Sequence, residues 1–174
     1  MSTTALYVDY IIIGLPTVYW IIAFYIFLSK DTAVRVLQKA AGNVFSTVIL
    51  IAISYILGLI TDRFSDLLFD KRKKRIKSQY LDSKNVSLAV WEKYNWSDFA
   101  KFTLSRIRIL RSLIINSIFV SCTTSLLIYK FYDEGKEILI VFTILLGALS
   151  CIISNLGHIN LLNNYYHKTQ ILGQ

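Results

Sequence analysis

The chain has 174 residues and a mass of 20.0 kDa, with 55% apolar and 17% charged residues, a formal net charge of +8 and a mean hydropathy of +0.52. Soluble domains run at about 45–50% apolar and about 25% charged. With one proline and two cysteines, this balance excludes a disordered chain, a collagen and a disulfide scaffold, and points to a membrane protein.

A spanning helix needs about 20 residues with few charges, because the hydrocarbon core is roughly 30 Å thick and a helix rises about 1.5 Å per residue. Between Asp9 and Lys30 lie 20 uncharged residues, and between Lys39 and Asp62 lie 22. Between Arg111 and Lys130 lie 18, and between Glu137 and Lys168 lie 30, with Ile138 to Leu156 as the apolar core of the last stretch. None shows the alternation of barrel strands, so the expected fold class is all-α, with four transmembrane helices. The leader Met1 to Tyr10 has no Lys or Arg and carries Asp9, so the first span reads as a retained helix, bent at Pro16.

The second span is expected to run on past the bilayer as one rod from about Asn43 to Tyr80, ended by a turn at Leu81 to Asn85. After the apolar stretch Val86 to Trp91, Asn95 and Asp98 read as a capping box that starts the third helix. The organisation expected is therefore residues 1–61 (two spans), 62–111 (a basic cytoplasmic helical hairpin) and 112–174 (two spans and a short cytoplasmic tail). Residues 62–111 hold 13 of the 19 basic side chains. The excess of Lys and Arg places that segment and both termini in the cytoplasm. Tyr7, Tyr10, Tyr129, Phe131, Tyr132, Tyr165 and Tyr166 fall at span ends, where aromatic rings favour the interface. Cys122 and Cys151 are expected as buried small hydrophobes.

Three patterns carry the candidate sites. Thr47, Ser54, Thr61 and Asp62 share a face of the second span, Asn116 and Thr123 one of the third, and Ser154 and His158 one of the fourth. Such faces either pack helices together or line a water path. Lys71, Arg72, Lys73, Lys74, Arg75 and Lys77, with Arg106 and Arg108 on the descending helix, read as the positive-inside signal, as contacts to anionic lipid, or as contacts to a nucleotide or nucleic acid beside Trp91, Tyr94 and Trp96. The third pattern, Gly58-x-x-x-Asp62-x-x-x-Asp66-x-x-x-Asp70, stacks three carboxylates on one helical face, which needs compensation from Arg63 and Lys73 or from a metal. No complete catalytic motif occurs, so no catalytic residue, metal site or cofactor is expected, and the chain does not read as an enzyme.

The string Tyr55 to Asp66, and Ser105 to Arg111 entering the third span, resemble small multi-pass membrane proteins of bacterial antiviral defence loci. The resemblance implies homo-oligomers that permeabilise the inner membrane when a cytosolic protein, nucleotide or nucleic-acid signal arrives. The first expectation is thus an oligomeric, channel-like antiphage effector gated through its basic segment. The alternative is a non-transporting membrane anchor or scaffold for a cytosolic partner. The Gly58-Asp62-Asp66 spacing also resembles the second half of the CDP-alcohol phosphatidyltransferase signature, which implies a metal-dependent lipid head-group transferase as a third reading.

Overall fold

The computed structural model describes residues 3–29, 43–81 and 98–172, and their side chains over 6–29, 43–80 and 99–168. It is all-helical among these residues: α1 (Thr3–Leu28), α2 (Val44–Leu81), α3 (Asp98–Phe131) and α4 (Lys136–Leu172). All four are long and apolar enough to cross a membrane. The Lys30 to Lys39 loop, the turn after Leu81, the aromatic cluster around Trp91 to Trp96 and the Asn95 cap lie outside the described residues.

Local chemistry sets the visible ends. Asn43 caps α2, its side-chain oxygen accepting the backbone N–H of Phe45 at 2.9 Å. Gly135, at φ +67°, makes the left-handed turn between α3 and α4 that residues with a Cβ resist. Glu137 then sits in the first turn of α4 and Lys130 in the last turn of α3, each favourable to the helix dipole.

At 38, 34 and 37 residues, α2, α3 and α4 are about 57, 51 and 55 Å long, far more than roughly 30 Å of hydrocarbon. Their surplus lies at one end. There Ile76 of α2, Ala100 and Ile107 of α3, and Leu162, Tyr165 and Tyr166 of α4 close a small hydrophobic core. This corrects two expectations. The fourth helix does not give way to a short tail but continues to Leu172, and Tyr165 and Tyr166 are buried in protein, not placed in an interfacial belt. The apolar positions recur at three- and four-residue intervals beyond the hydropathic core, so the stripe that served lipid serves packing instead.

Along the membrane-spanning half, α1 is sandwiched between α2 and α3, and α4 leans on α3. The α1–α2 crossing brings backbones into contact. A Cβ on Gly14 would fall 1.7 Å from the Ser54 carbonyl oxygen, and one on Gly58 would fall 1.9 Å from that of Tyr10. Ser54, fully buried at this crossing, returns its hydroxyl to the Leu50 carbonyl. Facing away from the bundle, Val48, Ile53, Ile56 and Ile60 of α2 and Ile144, Leu145, Ile152 and Ile153 of α4 are exposed, an apolar girdle suited to acyl chains.

Candidate functional site

The carboxylate stripe of α2 lies where the apolar girdle meets the basic end. Its first member, Asp62, is buried and accepts Arg111 Nη2 of α3 at 2.6 Å, with Arg108 Nε at 3.7 Å from its other oxygen. Asp66 is paired with Arg111 Nη1, and Lys73 lies 3.9 Å away. Asp70 pairs within its own helix with Lys74 at 2.7 Å. Arg111 also donates from Nε to Ser65 Oγ at 3.0 Å, so all three guanidinium nitrogens are engaged in a planar fork that a lysine cannot reproduce.

A fourth carboxylate joins from α1. Asp9, 7% exposed, accepts the Ser105 hydroxyl at 2.5 Å and lies 3.6 Å from Arg108 Nη1, while the Arg108 guanidinium sits 5.3 Å above the Tyr10 ring. Three carboxylates and two guanidiniums thus tie α1, α2 and α3 together in one network, and Asp9, Asp62 and Arg111 sit in it at low exposure, where charges persist only when paired. Ser65 and Ser112, 3.2 Å apart, fill the remaining hydrogen-bonding positions between α2 and α3.

About two helical turns deeper, Asn116 bridges to α1. Its amide nitrogen donates to the Ile13 carbonyl at 2.9 Å, and its oxygen accepts Thr17 Oγ1 at 3.0 Å; Thr17 lies 3.1 Å from Thr61. Hydrogen bonds of this kind in membranes are worth about 0.6 kcal/mol on average and up to about 1.7. Asn116→Leu is therefore expected to lower stability by about 1 kcal/mol in a detergent unfolding titration, without loss of the fold.

Of the residues expected to form polar faces, Ser54, Thr61, Asp62, Asn116, Thr123, Ser154 and His158 are buried. Thr47 is not: it lies on the same face as Ser54 but is exposed near the start of α2, and it bonds back to the Asn43 carbonyl. Ser54, Thr61 and Asn116 meet α1, and Thr123 bonds within its own helix to Phe119. His158 lies 2% exposed against Phe69. The cysteines differ from expectation too: Cys122 is exposed and Cys151 half-buried, both on the outer groove between α3 and α4.

The basic set divides in two. Lys71, Lys73, Lys74, Arg75 and Lys77 stay exposed, as does Arg106, which sits 4.3 Å above the Phe102 ring. Arg108 is drawn into the network, and Arg72 reaches Asn155 of α4 at 2.5 Å. Asp9 is the functional residue that the sequence reading passed over. An acid within the first turns of a spanning helix is costly and needs a cationic or hydroxyl partner, and that cost is its signal.

A cavity of about 290 Å³ opens against the network, walled by Asp62, Asp66, Arg108, Arg111 and His158. Among the described residues no three His, Cys, Asp or Glu side chains are grouped to hold a metal, and Asp62 and Asp66 already share Arg111, a donor set poorly suited to a divalent cation. Comparison with protein-family models, with curated proteins and with solved structures returns no match. Fold and site define an all-α, multi-pass membrane protein whose first three helices are locked at one boundary by a buried ionic network.

Proposed function

We propose that this chain is a membrane-anchored receptor for an anionic partner, with its basic end in the cytoplasm of the cell and the Asp9–Arg108–Asp62–Arg111 network as the latch of its resting state. The observation that carries this reading is the position of the latch. It joins α1 to the two helices that bear the exposed cations, so an anion that draws on Arg108 changes how α1 is held. Such a ligand shifts the population toward the released arrangement by its difference in affinity for the two. The concentration of basic residues between 62 and 111 supports the cytoplasmic orientation. The intramembrane polar groups favour a receptor over a pore in this arrangement, because Thr17, Thr61 and Asn116 satisfy one another inside the protomer.

The oligomeric, channel-like antiphage effector is the second reading. One observation favours it: Ser117, Ser121 and Ser125 border an open groove on the outer face of α3 and α4, and Ser125 Oγ is buried there without a hydrogen-bond partner. A second copy covering that groove would assemble polar groups between protomers.

Proteoliposomes separate the two. Trp20, stacked 4.8 Å from Phe119, reports α1 against α3 in a chain carrying Trp91→Phe and Trp96→Phe. The receptor predicts a salt-sensitive change in Trp20 emission on adding inorganic polyphosphate, with no release of an entrapped dye. Flat emission throughout the titration sinks it. Dye release that polyphosphate triggers and Ser121→Leu abolishes would install the channel in its place.

A further inference from the structure

We infer that the cavity beside the latch is a binding site for a phosphoryl group, an inference that deepens the receptor reading by naming the chemistry its anionic ligand carries. Two residues that line this cavity each carry a buried nitrogen with no hydrogen-bond partner: Arg108 Nη1 and His158 Nδ1. Arg108 Nη1 stands 3.6 Å from Asp9 Oδ2, close enough for charge pairing and too far for a hydrogen bond. His158 is 2% exposed. Buried polar groups are nearly always satisfied, and two orphans on one cavity call for a shared acceptor.

Charge selects the acceptor. Arg63, Lys73, Arg108 and Arg111 line the space against Asp62 and Asp66, a formal +2 (4 − 2). Arg111 and Lys73 offset the two carboxylates, which leaves Arg63 and the loosely paired Arg108 to meet an incoming anion. A phosphoryl group offers several oxygens to such a fork and to an imidazole N–H at once. The volume equals roughly ten water molecules at about 30 Å³ each, room for that group and the polar moiety it esterifies. Phosphoryl oxygens on Arg108 would compete with Asp9 and Asp62, which is how occupancy reaches the latch.

The same chemistry arrives on a soluble phosphate ester or on a phospholipid head group, and the test has an arm for each. Protein in maltoside detergent, free of added phospholipid, is titrated with inorganic pyrophosphate and separately with dioctanoyl phosphatidic acid, with sodium sulfate as competitor. Saturable binding of either probe is expected, weakened about tenfold in Arg63→Gln and in His158→Phe, substitutions that spare every ion pair of the latch; the probe that binds identifies the source. No binding in either arm, affinity unchanged from the parent chain in both variants, or displacement by equimolar sulfate overturns the site. The outcome is separable from the receptor test: phosphoryl binding with flat Trp20 emission keeps the site and removes the switch, while a polyphosphate response without binding in this cavity keeps the switch and removes the site.

Discussion

Arg111→Leu should destabilise the bundle by about 3–5 kcal/mol, the range seen when one partner of a buried ion pair is removed. The reason is less the lost attraction than what stays behind. Asp62, 6% exposed, would lose its hydrogen-bonded cation and be left with Arg108 at 3.7 Å, and Ser65 and Asp66 would each lose a charge-assisted bond. The effect should appear as a loss of most of the folded population early in an SDS titration of maltoside-solubilised protein. Asp66→Asn provides the contrast. Its carboxylate is 43% exposed and screened by solvent, so the cost should stay below about 1 kcal/mol. Combining Asp62→Asn, Asp66→Asn and Arg111→Met should recover much of the loss, since a buried ion cluster replaced as a unit is often close to neutral. If the single Arg111 variant unfolds no sooner than Asp66→Asn, the network is not the lock described here.

The membrane-spanning architecture was readable because lipid imposes a one-dimensional rule: charge-free length. A different signal, the absence of Gly and Pro from Thr61 to Tyr80, carried α2 beyond its charge-free length, expected from about Asn43 to Tyr80 and found as Val44–Leu81. The continuation of α4 was harder to see, because Asn155, His158, Asn160, Asn163 and Asn164 dilute hydropathy while Leu161, Leu162, Tyr165 and Tyr166 keep the stripe. The stripe of Asp62, Asp66 and Asp70 announced that cations must be near. Lys73 could be named from its spacing on the same helix, but Arg63, expected beside it, lines the cavity instead. The main partner, Arg111, comes from a helix 45 to 49 residues away in sequence, and no local pattern encodes which of five basic residues on α3 will turn inward. For the same reason Asp9 looked like a leader charge: its meaning depends on Ser105 and Arg108, which only the packing of α1 against α3 supplies. Polar faces were visible by period, yet period does not say whether the neighbour is water or a helix.

The second large effect is expected at the α1–α2 crossing. Gly14→Leu or Gly58→Leu should abolish the folded bundle, and even Gly→Ala at either position should cost about 3 kcal/mol, the upper end of ordinary overpacking. The obstacles are carbonyl oxygens of the facing backbone, at 1.7 Å from the added carbon on Gly14 and 1.9 Å on Gly58. A side-chain neighbour could rotate away; a backbone carbonyl inside a helix cannot, so the two helices would have to separate along much of their contact. Separation would also draw Thr17 from Thr61 and Asp9 from the α2 side of the latch, so packing and charge fail together. Gly147→Ala is the control. Its added carbon would meet Ser121 Oγ at 2.6 Å, which a rotamer change moves away, and Ser121 Cβ at 2.5 Å, which an outward shift of α4, free on its far side, relieves. Its cost should therefore be about 1–2 kcal/mol, below that of the Ala substitutions at Gly14 and Gly58. Detergent-extracted yield and the SDS midpoint of the three Ala variants make the comparison. Equal midpoints for Gly14→Ala and Gly147→Ala would mean that α1 and α2 do not touch backbone to backbone, and the central position of α1 would fall with that contact.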